Sequence, residues 1–288
     1  MRIDILILQD APPADLVERA RRAEEMGFGC VWVADHFVNP HSPAADWLDA
    51  WTLLGAFALA TSRVKLGPLV SAPALRSPSL LALQATTVDH LSGGRLELGM
   101  GAGGAPLDFK MMGVPPREPA ERFARLAESL EIVDDLLARG RVAHHGRFYD
   151  VEAHVRRPVQ VPRPPLIVGA LGPRALRLAA ARADCVSTYA AIESVAAGLA
   201  TGNEAVEIIR RRMSIIDAEC ARIGRSRDSL RRSLLTFFGV REPLPDVREF
   251  ERWTKPYREL GINEFVLYWP GKDNPEMLAG LASLGRDN

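Results

Sequence analysis

Hydrophobic and polar positions along the chain alternate between two patterns. The runs Ile3–Leu8, Gly29–Ala34, Val64–Val70, Arg95–Gly99, Leu166–Gly169, Asp184–Tyr189, Ser233–Val240 and Glu264–Trp269 are mostly continuously apolar. That is the pattern of strands buried on both faces of a parallel sheet. Between them the apolar residues recur at helical spacing. Leu16, Ala20, Ala23 and Met26 line one face of a helix over 15–26, which Gly27 stops. Trp47, Trp51, Leu54 and Ala58 share a face of the next helix, and a third runs from Pro78 to Leu91. Pro119 opens the clearest helix, with Phe123, Leu126, Leu130, Val133 and Leu137 in register. Further helices are predicted over 173–182, 203–224, 246–260 and 275–284. Residues 105–118, with Pro106, Pro115 and Pro116, read as irregular, and 141–165 as a hairpin-like excursion before the fifth strand.

Eight strands, each followed by a helix, are the arithmetic of a (β/α)8 TIM barrel. An open doubly wound sheet is the rival. No linker or composition break divides the chain, so residues 1–288 are expected to form a single barrel domain.

Composition narrows the function. The chain has 288 residues, 47% hydrophobic and 25% charged, enough to bury a sizeable core. Lys plus Arg is 36 and Asp plus Glu is 36, with no basic excess overall, which argues against a nucleic-acid partner. No apolar run approaches the roughly 20 residues that span a bilayer. The N-terminus enters a strand at once, so no signal peptide is read. Cys30, Cys185 and Cys220 are too widely spaced for a metal or disulfide framework; Cys30 and Cys185 fall in predicted strands and read as small buried apolar residues. A cytoplasmic location is the expectation.

A barrel of this kind places its chemistry at the C-terminal ends of the strands. Asp35-His36 ends the second strand. A histidine there can give or take a proton near neutrality, or it can merely cap a loop. Gly99-Met-Gly-Ala-Gly-Gly104 matches G-x-G-x-x-G, but Pro106 and an irregular stretch follow instead of a helix. These glycines give room for backbone close to a flat ligand, or a tight turn. Gly169-Ala-Leu-Gly172 before Pro173 can present backbone N–H groups to a phosphate, with Arg174 and Arg177 nearby, or can be ordinary helix capping. His144, His145 and His154 with Asp150 and Glu152 match no familiar metal spacing, so no metal site is expected. Trp47 and Trp51 read as helix packing rather than a cofactor cage, and the run Arg210 to Arg212 as a solvated helix face.

Several stretches resemble the bacterial luciferase-like superfamily. They are Trp32-Val-Ala-Asp-His-Phe37, Leu66-Gly67 through Pro73, Leu91-Ser-Gly-Gly-Arg-Leu-Glu-Leu-Gly-Met-Gly-Ala-Gly103, Gly146-Arg-Phe-Tyr149 and Pro164-Pro-Leu-Ile-Val-Gly-Ala-Leu-Gly-Pro173. Together they cover nearly the whole chain in order. The resemblance implies a barrel that binds FMN or the deazaflavin F420, and the Asp-His pair is most like the F420-dependent branch. It implies a catalytic role for His36 near the reactive ring edge, with Asp35 on the cofactor. It also implies a bulge with a non-prolyl cis peptide at Leu69–Val70, continuing into Ser71, behind the ring. Gly101 and Gly103 would approach the ring. Gly169, Ala170, Leu171 and Gly172 would contact phosphate, with Thr188 and Tyr189 closing that pocket.

Two departures bear on the substrate. Sugar-phosphate dehydrogenases of this superfamily carry an acid straight after the strand-four glycines. Here Gly104-Ala105-Pro106 carries none, and Asp108 is the nearest candidate. Their basic residue after strand six is also missing from Ala190-Ala191-Ile192. The first expectation is therefore an F420-dependent oxidoreductase acting on a small, mostly apolar organic molecule. An FMN-dependent monooxygenase using reduced flavin and O2, and a non-catalytic flavin-binding protein, stay open beside it. By resemblance, a homodimer and a flavin or F420 reductase as partner are also expected.

Overall fold

The structure, a computed structural model, describes residues 1–191, 198–271 and 274–285. Its elements in chain order are β1 (Arg2–Ile7), α1 (Pro13–Met26), β2 (Cys30–Val33), α2 (Ala50–Ala60), β3 (Lys65–Pro68), α3 (Pro78–Ser92), β4 (Leu98–Gly101), α4 (Pro106–Met111), α5 (Pro119–Arg139), β5 (Arg141–His145), β6 (Asp150–His154), β7 (Leu166–Gly169), α6 (Pro173–Arg182), β8 (Cys185–Thr188), α7 (Gly202–Arg222), β9 (Arg231–Leu235), α8 (Val247–Glu259), β10 (Glu264–Tyr268) and α9 (Pro275–Ser283). An eight-stranded sheet runs in the order β3-β2-β1-β10-β9-β8-β7-β4. Its two end strands pair with each other through the parallel bridges Leu66–Leu96 and Ser71–Met100. This is the connectivity of a (β/α)8 barrel; a doubly wound sheet leaves its ends unpaired.

The chain packs as two compact units. One comprises Met1–Leu6, Ala23–Cys30 and Ile167–Asn288. In it β1 pairs with β10 from Arg2–Glu264 to Leu6–Tyr268, and β9 and β8 continue the parallel ladder. Ile3, Ile5, Val168, Leu234, Phe265 and Leu267 fill its core. The other comprises Ile7–Arg22 and Val31–Leu166. Trp32, Leu54, Phe57, Leu66, Leu96, Leu126 and Leu136 are buried there. Its helices carry clear stop and start signals. Asp49 caps α2 by accepting the Thr52 N–H, and Ser77 does the same for α3 through Leu80. Gly93 and Gly140 end α3 and α5 in the left-handed region. All three cysteines are buried.

The excursion before the fifth barrel strand is a hairpin, with β5 and β6 antiparallel from Arg141–His154 to His145–Asp150. The Glu128 carboxylate closes its turn by accepting the N–H groups of Arg147, Phe148 and Tyr149. Three expectations need correction. The stretch 105–118 holds the helix α4, whose six residues are too few to show a period. The seventh barrel strand stops at Leu235 rather than Val240, because Phe237 (φ 92°) and Gly239 (φ 98°) turn the chain out of the ladder. Trp47 precedes α2 and is not on its face; its indole N–H donates to the His36 carbonyl at 2.8 Å.

Gly99 explains itself in the barrel wall. A Cβ there would run into the Pro68 carbonyl, just as one at Gly67 would meet the Glu97 carbonyl. These two glycines let β3 and β4 approach closely. Gly99→Ala is expected to destabilise the protein by about 2–3 kcal/mol, read from the midpoint of urea unfolding. A midpoint equal to wild type would show that the strands part at no cost.

Candidate active site

Two consecutive residues after β2 point their side chains to different ends. Asp35 is buried and turns into a polar network. Its Oδ2 accepts the Ser71 hydroxyl at 2.5 Å and Arg76 Nε at 2.9 Å, and its Oδ1 accepts Arg76 Nη2 at 3.0 Å. Arg76 reaches on to Asp49 Oδ1 at 2.6 Å, and Trp51 Nε1 donates to Ser71 Oγ at 3.0 Å. A bidentate guanidinium is the fitting partner for a carboxylate withdrawn from water. Burial by itself would lower the Arg76 pKa, but the hydrogen bonds and charges of Asp35 and then Asp49 outweigh it and hold the group above its ordinary value.

The Leu69–Val70 peptide is cis. The segment is tied on both sides: Leu69 N–H donates to the Val33 carbonyl at 2.8 Å, Ser71 N–H to Gly99 O at 2.9 Å, and Gly101 N–H to Ser71 O at 2.9 Å. Gly103 has φ 69°, and a Cβ there would press on Ala72 Cβ at 2.8 Å. Gly104 lies under the Arg122 guanidinium, which occupies the place of its absent side chain.

His36 leaves nearly a third of its side chain exposed (31%). Its Nδ1 sits 2.7 Å from Asp108 Oδ2, while Asp108 Oδ1 accepts the Phe37 N–H at 2.9 Å. Asp108 lies in the first turn of α4, and its side chain is 7% exposed. The short helix thus carries the acid back to the histidine.

In the other unit, β7 runs through Gly169 into Ala170, Leu171 and Gly172 before α6. The Ala170 N–H is taken by the Ser187 carbonyl at 2.9 Å. Gly172 is the N-cap of α6, makes no side-chain cap and has open space where a Cβ would stand. The first-turn N–H groups of α6 therefore have neither an intrahelical acceptor nor a side-chain cap. Arg174 and Arg177 are exposed on that helix.

Thr188 is buried, and its hydroxyl receives Arg212 Nη1 at 3.1 Å. The same guanidinium donates to the carbonyls of Tyr189 and Ala191. Arg212 is thus not part of a solvated face, as expected of the run 210–212; burial pulls its pKa down. The Tyr189 ring meets Phe237 edge-on at 5.7 Å. Ala190 and Ala191 follow, and Ile192 lies outside the described residues. In the hairpin, His145 pairs with Asp150 at 2.6 Å on the surface.

Sequence reasoning gave Asp108 no role beside His36, and gave none to Arg76 or Arg212. A buried acid at a strand end demands a cation, but nothing local says which one supplies it.

Residues 1–260 match the profile of the luciferase-like monooxygenase family, and the chain belongs to it. An F420-dependent glucose-6-phosphate dehydrogenase from Amycolatopsis mediterranei is 29% identical over 314 residues, spanning 92% of this chain and 91% of that protein. Among solved structures, an F420-dependent secondary alcohol dehydrogenase in complex with an F420-acetone adduct superposes with a TM-score of 0.82 at 21% identity, over 99% of both chains. A monooxygenase, RslO1 from Streptomyces bottropensis, reaches 0.76 at 21% identity, over 99% of this chain and 97% of that one. Both likenesses show the fold. The protein is an enzyme of this family. Among the described residues no helix is long and apolar enough to cross a membrane.

Proposed function

We propose that the protein is an F420-dependent oxidoreductase that exchanges a hydride between the deazaflavin and a small, mostly apolar organic substrate. One observation carries the reading: the His36 imidazole at a strand mouth, engaged at Nδ1 by Asp108, keeps its other ring nitrogen for a proton. The relatives named F420-dependent support the choice of cofactor. The donor set suits a phosphate-bearing cofactor of either kind, since the first turn of α6 after Gly169–Gly172 has no side-chain cap.

Bound F420 would supply the hydride chemistry at its C5. The chain's own residues would do the rest. Gly169, Ala170, Leu171 and Gly172 would hold the phosphate, with Thr188 and Tyr189 behind them. Leu69, Val70, Ser71, Gly101 and Gly103 would form a wall for the ring. Asp35 would act through Ser71 and Arg76 by fixing that wall. His36 would accept the hydroxyl proton when a substrate is oxidised and return it in the reverse direction. A sugar phosphate is not the expected substrate, because no acid follows the strand-four glycines at Gly104-Ala105-Pro106, and no base follows at Ala190 and Ala191. The exposed Phe37 next to His36, with the exposed Leu107 and Met111 of α4, the helix that carries Asp108, support an apolar one.

Side-by-side titration of the cofactor-free protein with F420 and FMN tests the reading. F420 is expected to bind at least about tenfold more tightly, a difference of about 1.4 kcal/mol. The reverse order would move the protein to an FMN-dependent monooxygenase, checked by oxygen uptake with reduced flavin. Tight binding without turnover on a panel of alcohols and carbonyls would instead mark a flavin-binding protein without catalysis. The expected homodimer, cytoplasmic location and single-domain behaviour are proposals of the same standing, open to sedimentation, localisation and one-step unfolding.

A further inference from the structure

We propose that Asp108 is a positioning residue that sets the tautomer of His36, holding the proton on Nδ1 and leaving Nε2 as the nitrogen that meets the substrate proton. The catalytic half of this inference rests on the proposed function; the tautomer does not.

The argument is one of donors and acceptors. A carboxylate accepts and does not donate. Asp108 divides its two oxygens between neighbouring groups: Oδ1 takes the Phe37 backbone N–H at 2.9 Å, and Oδ2 faces His36 Nδ1 at 2.7 Å. A neutral imidazole has one N–H, so opposite an acceptor that proton sits on Nδ1 and Nε2 carries the lone pair. The backbone that carries the ring is fixed as well. Trp47 Nε1 fixes the His36 carbonyl at 2.8 Å, and the His36 N–H donates to the Ala34 carbonyl at 3.1 Å. The ring of His36 and the backbone N–H of Phe37 are thus held by the same carboxylate, from a helix 72 positions further along the chain. When His36 takes a proton on Nε2, its Nδ1–H stays on the same Asp108 oxygen. One arrangement therefore serves both directions of the reaction.

Asp108→Asn separates this role from a structural one. The Phe37 N–H can only donate, so the amide oxygen of the variant must face it. The amide NH2 then faces Nδ1, which must become an acceptor, and the proton moves to Nε2. Size and backbone contact are kept while the tautomer is inverted. Imidazole 15N spectra read this directly; the chain has six histidines, and the His36 signals are those missing from His36→Ala.

Wild type is expected to show protonated Nδ1 and bare Nε2, and Asp108→Asn the opposite. With F420, kcat of the variant is expected to fall at least about 100-fold, with KM and F420 affinity within about threefold. Asp108→Glu, which restores an acceptor, should recover part of kcat. A wild-type pattern retained in Asp108→Asn overturns the proposal, as does an inverted tautomer with kcat within about threefold of wild type. If Asp108→Asn does not fold, Asp108→Ala serves: a mixture of tautomers supports the assignment, and unchanged Nδ1 protonation overturns it. Absence of any F420-dependent turnover in wild type would sink the functional reading instead, and the spectra would still decide who sets the tautomer.

Discussion

His36→Ala is expected to lower F420-dependent turnover by about 10²–10⁴-fold while F420 affinity changes by less than about threefold. The reasoning follows the atoms. Oxidising an alcohol moves a hydride from carbon to the cofactor and leaves the hydroxyl proton without a destination; reducing a carbonyl needs that proton delivered to oxygen. In the proposed reading His36 would supply the destination. It is partly exposed, it is held in one orientation by Asp108, and it makes no contribution to the Asp35, Ser71 and Arg76 network that shapes the wall beside it. Removing the imidazole would therefore take away the proposed proton relay and spare the wall. Single-turnover absorbance of F420 separates the hydride step from product release, and fluorescence titration gives the affinity. Turnover within about threefold of wild type would remove His36 from the chemistry. An equal loss of affinity and turnover would make it a cofactor contact.

The fold was readable because its signals are local and repeated. The α5 period through Leu126, Leu130, Val133 and Leu137 appears as an unbroken buried stripe, and the apolar runs became parallel strands with shifted ends. Asp35 and His36 could be found because strand ends are where barrels keep their chemistry. What they do was not readable, because their partners lie far away in sequence: 41 positions for Arg76 and 72 for Asp108. No periodicity links such pairs, and the six residues of α4 that return Asp108 to the site are too few to announce a helix.

Arg210, Arg211 and Arg212 show a different limit. Consecutive helix residues are about 100° apart, so three identical residues cannot share one environment. Arg210 and Arg211 pair with Glu207 on the surface, while Arg212 turns inward to Thr188 and the carbonyls behind it. Counting the run as one patch hid the residue that braces Tyr189. Gly99 misled in the same manner. Gly99 reads as room for a ligand, yet the space beside it belongs to the Pro68 carbonyl.

Arg95→Met is expected to cost about 3–5 kcal/mol of stability, the range for leaving a buried charged hydrogen-bond network without its cation's donors. Arg95 is buried, and its guanidinium serves the Ser92, Val64, Ala58 and Thr61 carbonyls together with the Thr61 hydroxyl, at 2.7–2.9 Å. Ala58 and Thr61 belong to the last turn and C-cap of α2, whose carbonyls have no partner within the helix. The side chain therefore caps that helix with a positive charge where the backbone dipole favours one. The preceding residues exist to deliver it. Ser92 Oγ accepts the Arg95 N–H at 3.1 Å, and Gly93 (φ 66°) and Gly94 (φ 87°) make the left-handed turn between them. The Ser-Gly-Gly-Arg stretch, which carries much of the family resemblance, is thus a structural clamp. Methionine keeps the apolar stem and most of the volume but supplies no donor. Arg95→Lys should fall between, because a single ammonium cannot reproduce a planar fork. Urea unfolding gives the cost, and turnover per folded molecule should stay near wild type in both variants. A loss below about 1 kcal/mol in Arg95→Met would mean that water replaces the guanidinium, and that the motif has to be explained by something other than the end of α2.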